Sequence, residues 1–214
     1  MACHSGGTLE LFVDPVLPAA TLAVVGDSPV ARALVSLAPR VGLRVAVVAH
    51  AAQAGDFPDA DTVLSSDDAP AVSAQLGSAP FVVVATQGRR DLQGLKAALA
   101  LQPLGLWFVS SAKKASVLRS SLVASGEDAG AVARIVAPAG EFIGAQTPEE
   151  IALSVLSSVV AARRARQAKP AQVQPAPAQA FSDSAAMPKA AKDELVLVAV
   201  SAVATAVKSS CCGG

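Results

Sequence analysis

Three groups of residues in this 214-residue chain have types and spacings suited to chemistry. The first is Gly26-Asp27-Ser28-Pro29-Val30-Ala31, which has the spacing of the glycine turn G-x-G-x-x-G/A between a buried strand and a helix. Such a turn holds a phosphate on main-chain N–H groups at the positive end of the helix. Here Ser28 adds a side chain where a pyrophosphate would approach, and Pro29 removes one N–H donor. The turn therefore predicts the fold unit more firmly than it predicts a dinucleotide. The second group comprises two basic pairs, Arg89-Arg90 and Lys113-Lys114, each just past an apolar run. A guanidinium grips a phosphate through two parallel hydrogen bonds, and cations at a helix start oppose the helix dipole, so two such pairs predict a shared anionic ligand. Thr86, Gln87 and Gly88, and likewise Ser110 and Ser111, belong to the same polar turns. The third group is Cys3 beside His4, where an exposed thiolate could carry sulfur or meet a metal. His4 and His50 are the only histidines, so no Ser/His/Asp or Cys/His arrangement supports hydrolytic chemistry.

The elements that must position these residues alternate along the chain. Leu22–Val25, Val45–Ala49, Phe81–Ala85 and Leu104–Val109 are apolar runs that read as strands buried on both faces, with Thr62–Leu64 and Ala133–Val136 as shorter ones. Between them, Val30, Ala33, Leu34, Leu37 and Ala38 recur at helical spacing. Helices are likewise expected over Ala69 to Leu76, after Asp91 with Leu92, Leu95 and Leu99, and after Lys114 with Ala115, Leu118 and Leu122. A final helix starts with Thr147 as N-cap, Pro148 at the first position and Glu150 closing a capping box, and buries Ala152, Val155, Leu156, Val159 and Val160. Strand, polar loop and helix in repetition imply parallel strands, right-handed crossovers and a crevice beyond the carboxyl ends of the strands. The fold class expected is therefore α/β, a Rossmann-like three-layer domain with a mostly parallel sheet. His50 stands at the end of the second strand, where an NAD site places an Asp or Glu for the ribose hydroxyls.

The composition agrees with that class. Hydrophobic residues make up 52% of the chain but aromatic residues only 3%, which suits closely packed α/β layers. A formal net charge of +0 predicts no nucleic-acid partner by bulk electrostatics. Three cysteines at the two ends, Cys3, Cys211 and Cys212, form no disulfide framework, and the N-terminal residues show no secretory signal, so a cytoplasmic location is expected. Residues 1–18 hold one short strand around Thr8 to Val13 and a linker, 19–166 the α/β domain, 167–192 an Ala/Pro/Gln-rich disordered linker, and 193–214 an apolar segment ending in Cys211-Cys212-Gly213-Gly214. The segment Leu195 to Val207 is shorter than the about 20 residues a membrane span needs.

Three stretches carry a resemblance to the Rossmann domain of the XdhC/CoxI family, accessory proteins of xanthine dehydrogenase and carbon monoxide dehydrogenase. Thr86-Gln87-Gly88-Arg89-Arg90-Asp91-Leu92 resembles its Thr-His-Gly block, with Gln87 where the family has His. Val109-Ser110-Ser111-Ala112-Lys113-Lys114 is similar to its Ile-Gly-Ser-basic-basic block, with Ser110 in place of a glycine. Ala137-Pro138-Ala139-Gly140, followed by Ile143-Gly144-Ala145-Gln146-Thr147-Pro148-Glu149-Glu150, resembles its closing motif nearly residue for residue. The resemblance implies a nonenzymatic factor that binds the molybdenum cofactor (molybdopterin) during sulfuration and delivers it to a molybdenum hydroxylase. Implied partners are that client enzyme, a separately encoded counterpart of the family's N-terminal domain, a cysteine desulfurase and a second copy of the chain. The cofactor-binding residues expected are Gly26, Asp27, Ser28, Pro29, His50, Thr86, Gln87, Gly88, Arg89, Arg90, Ser110, Ser111, Lys113, Lys114, Pro138, Gly140 and Gly144, with Cys3 as a metal ligand. The residues also leave open an NAD(P)-dependent oxidoreductase and a noncatalytic Rossmann scaffold.

Overall fold

Leu22 to Val25 have no polar side chain and no partner at helical spacing, so the run is stable only with both faces covered, and it forms the middle of a sheet. The computed structural model describes residues 19–167. Its strands are β1 (Thr21–Val25), β2 (Arg44–Val48), β3 (Thr62–Leu64), β4 (Phe81–Val84), β5 (Gly105–Phe108) and β6 (Ile135–Val136). Its helices are α1 (Pro29–Leu37), α2 (Ala69–Leu76), α3 (Asp91–Ala100), α4 (Ala112–Ala124), α5 (Ala129–Ala133) and α6 (Pro148–Gln167). All strand pairs are parallel, in the order β3-β2-β1-β4-β5-β6, and Val25 at the end of β1 is level with Val48 and Val84 on its two sides. The expected strand around Thr8 to Val13, Cys3, the linker beyond Gln167, the segment Leu195 to Val207 and Cys211-Cys212 lie outside the described residues.

Alternation along the strands sends side chains to two cores. Leu22, Val24, Val45, Val47, Val83 and Trp107 face α1 and α6, whereas Ala23, Val25, Val82, Val84 and Phe108 face α2, α3, α4 and α5. Between β2 and β3 no α-helix forms. A short 3-10 turn at Ala54–Asp56 delivers the buried Phe57 ring to the first core, and the Arg32 guanidinium of α1 lies 4.9 Å from its centre.

Three details differ from the sequence expectation. The buried stripe of α1 is Ala31, Leu34 and Val35, continued by Ala38 in a 3-10 turn, while Val30, Ala33 and Leu37 are only partly buried. The sixth strand begins at Ile135 because Ala129–Ala133 is a helix, its start fixed by Asp128 Oδ2 accepting from the Ala131 N–H at 2.6 Å. Five residues are too few to show a helical period in sequence. The buried face of α6 includes Ser154 rather than Val160, because the backbone of Gly140 presses on that position.

That contact is close. A Cβ on Gly140 would lie 2.2 Å from Ser154 Oγ and 2.9 Å from the Val155 nitrogen, and φ is +89° there. Gly140→Ala is therefore expected to cost about 2 kcal/mol, lowering the midpoint of thermal unfolding by roughly 4–8 °C. Circular dichroism melting of the full chain checks this, and an unchanged midpoint would contradict the packing.

The start of α6 has the expected capping box. Glu150 Oε2 accepts from the Gln146 and Thr147 N–H groups at 2.7 and 3.1 Å, and Thr147 Oγ1 accepts from the Glu150 N–H at 3.3 Å. Those backbone donors hold the exposed Glu150 carboxyl below the usual range. Near the other end, Arg163 donates to the carbonyls of Val41 and Gly42, both at 3.0 Å, and so fastens the last helix to the first strand-helix unit.

Candidate functional site

β1 and β4 are neighbours, but the chain leaves β1 for α1 on one face and β4 for α3 on the other. That divergence opens a crevice at the carboxyl ends of the strands. It encloses ≈ 200 Å³. Its floor is apolar, with Val25, Val48 and Ala49, and its rim carries Asp27, His50, Arg89 and Arg90.

Two glycines let the backbones meet here. Gly26 has φ +120°, its N–H donates to the Val48 carbonyl at 2.9 Å, and a Cβ on it would lie 2.5 Å from the Ala85 oxygen. Gly94, one turn into α3, leaves 3.1 Å between a built Cβ and Thr86 Cγ2 and 3.3 Å to Val25 Cγ1, so the helix lies directly on β1 and β4.

Two of the helices that start at this edge are capped by serine side chains. Ser28 is buried, adopts the extended N-cap conformation, and accepts from the Ala31 N–H at 3.2 Å through Oγ, with Pro29 following as the first helical residue. Ser111 caps α4 by accepting from the Lys114 N–H at 3.3 Å. At α3 the buried Asp91 carboxylate accepts from the Thr86 hydroxyl and from the Gly88 N–H at 3.1 Å, and it pairs with the Lys114 ammonium. Burial pushes the Asp91 carboxyl up, but Lys114, Thr86 and Gly88 outweigh that and hold it below the usual carboxylate range.

The second buried carboxylate is Asp67, in the turn after β3. Arg90, at φ +59°, donates to it through Nε at 2.7 Å and a terminal nitrogen at 2.9 Å, and His50 Nδ1 lies 3.9 Å from the same group. The bonds to Asp67 raise the Arg90 pKa further above its already high value. The basic pairs are therefore split, one member of each being committed to a buried carboxylate. Arg90 and Lys114 neutralise Asp67 and Asp91, because a buried carboxylate needs a bonded countercharge. Arg89 and Lys113 are exposed and make no salt bridge among the described residues.

Of the residues singled out in the sequence, Gly26, Asp27, His50, Thr86, Arg89 and Arg90 line the crevice. Ser28, Pro29, Gln87 and Gly88 belong to the same turns, Gln87 exposed at φ +50°. Ser110, Ser111, Lys113 and Lys114 form the neighbouring turn after β5, joined to the crevice through the Lys114 contact with Asp91. Pro138, Gly140 and Gly144 lie between β6 and α6 and do not line it. Asp67, Gly94 and the role of Asp91 as acceptor for Thr86 and Gly88 were missed. A glycine inside a helical pattern was the available signal for Gly94, and a Ser-Ser-Asp-Asp run directly after a strand was the signal for Asp67.

Among the described residues, no helix is long and apolar enough to cross a membrane and no three His, Cys, Asp or Glu are grouped to hold a metal. An all-parallel sheet of this order, with a glycine turn at the point where the strand order reverses, defines a Rossmann-type domain. Residues 22–159 match the XdhC Rossmann domain, and the chain belongs to that family. It is 30% identical over 161 residues to the Escherichia coli K12 protein YqeB, described as uncharacterized, covering 72% of this chain and 29% of YqeB. It is also similar to a Bacillus halodurans protein whose crystal structure is described as a xanthine dehydrogenase, with a TM-score of 0.57, 25% identity, and coverage of 72% of this chain and 46% of that one. The matched region thus spans less than half the length of either relative.

Proposed function

We propose that the chain binds the molybdenum cofactor at the crevice between β1 and β4 and passes it to a molybdenum hydroxylase of the xanthine dehydrogenase or carbon monoxide dehydrogenase type. It acts as a maturation factor and performs no turnover of its own. The observation that carries this reading is membership of the XdhC Rossmann family over residues 22–159. The chemistry of the crevice fits the phosphate-bearing end of such a cargo. Val25, Val48 and Ala49 offer an apolar floor to a flat ring, and Arg89, with no salt bridge among the described residues, offers a guanidinium to a phosphate. The protein's own part is to orient the ring, hold the phosphate and shield one face from water. The partners that accompany this role are the client enzyme, a separately encoded counterpart of the family's N-terminal domain, a cysteine desulfurase and a second copy of the chain, all in the cytoplasm.

The full chain, incubated with cofactor released from a molybdoenzyme, is expected to retain it on gel filtration and to reconstitute an apo-hydroxylase. Failure of both, with the partner domain supplied, would overturn the proposal. A charge-assisted bond of this kind is worth about 1.5–3 kcal/mol, so Arg89→Ala is expected to weaken cofactor binding at least about tenfold. Equilibrium titration measures this, and equal affinity would remove Arg89 from the site.

A further inference from the structure

A dinucleotide makes two demands on the carboxyl edge of this fold. Its pyrophosphate needs main-chain N–H groups at the start of the first helix, and its ribose needs an open place beyond the second strand. In this protein both places are filled from within. At the helix start, Pro29 has no N–H and Ala31 spends its own on Ser28 Oγ at 3.2 Å. Beyond the second strand, Arg90 and Asp67 meet. Arg90 follows β4 and Asp67 follows β3, while β1 and β2 lie between those strands in the sheet. The ion pair, with its bonds of 2.7 and 2.9 Å, therefore reaches across the ends of both intervening strands. His50 stands beside it at the end of β2, where a ribose-binding acid would be.

We propose that the Ser28-Pro29 cap and the Arg90–Asp67 bar together make the crevice reject pyrophosphate-bridged dinucleotides, with Ser28 and Arg90 as the residues that determine this specificity. The selection acts against a ligand class and stands apart from the identity of the cargo. Displacing the bar by a ribose would leave the buried Asp67 carboxylate without its countercharge. Displacing the cap would free the Ala31 N–H at the expense of the helix start.

The test uses ADP-ribose and NADH as probes, titrated calorimetrically into the full chain. Three variants are compared with it: S28G/P29A, D67A/R90A and the combination of all four substitutions. A glycine N-cap costs only a few tenths of a kcal/mol relative to serine, and removing both members of the ion pair strands no buried charge. The native chain is expected to show no saturation with either probe at millimolar concentration, and the combined variant to bind ADP-ribose at least tenfold more tightly. A native chain that binds NADH in the micromolar range would overturn the proposal. So would a folded combined variant no better than the native chain. If D67A/R90A does not fold, S28G/P29A alone decides, and an ADP-ribose affinity raised less than threefold counts against the proposal.

Discussion

Gly26→Ala is expected to destabilise the domain by roughly 3–5 kcal/mol, enough to lower its unfolding midpoint by about 6–20 °C. Two independent costs act at this position. With φ at +120° the backbone lies where side chains are rarely tolerated, and the new Cβ would sit 2.5 Å from the carbonyl oxygen and 2.8 Å from the carbonyl carbon of Ala85. Neither atom can move cheaply, because Ala85 is buried and its N–H donates to the Val25 carbonyl at 2.8 Å, tying it to β1. Gly55 provides the comparison, since a Cβ there meets nothing within 4 Å. Gly55→Ala should change stability by less than about 0.5 kcal/mol. Denaturant titration of both variants measures the contrast, and a loss below 1 kcal/mol at Gly26 would refute the contact.

Asp91→Ala is expected to cost about 3 kcal/mol, and the loss should depend on pH. The substitution leaves the buried Thr86 hydroxyl and the Gly88 N–H without their acceptor, while the half-exposed Lys114 recovers water. Because the folded-state pKa of Asp91 is depressed, its stabilisation is fully present above the ordinary aspartate value of about 3.9 and is lost as pH falls through the folded value. The two proteins should therefore differ most near neutral pH and converge in acid. Urea midpoints collected from pH 7 down to pH 3 would show this, and a gap that stays constant would mean that Asp91 acts by packing alone.

The sheet was legible because its strands are apolar runs of β-branched and small residues between polar turns, a pattern that has few other stable solutions. The cap at Thr147 was also legible, being local and set by residue type and spacing. The ion pairs were not. Arg90 and Asp67 are 23 residues apart, and Lys114 and Asp91 equally so, and nothing in the basic pairs says which member turns inward. A buried carboxylate has to be located before its counterion can be assigned, and burial belongs to the folded sheet. For the same reason the burial of Ser154 was not legible, since it depends on the approach of Gly140.

The Arg163 clasp also bears on how the chain is made. Its bonds to Gly42 and Val41 join positions 121 and 122 residues apart. At a synthesis rate of 5–20 residues per second, about 6–24 s pass between the two ends of that contact. Through that interval the inner faces of α1 and the central strands wait for Ala152, Val155, Leu156 and Val159, which emerge last. The β1-α1 unit is thus among the last parts of this domain to be sealed, and the nascent domain depends on α6 for protection from premature association.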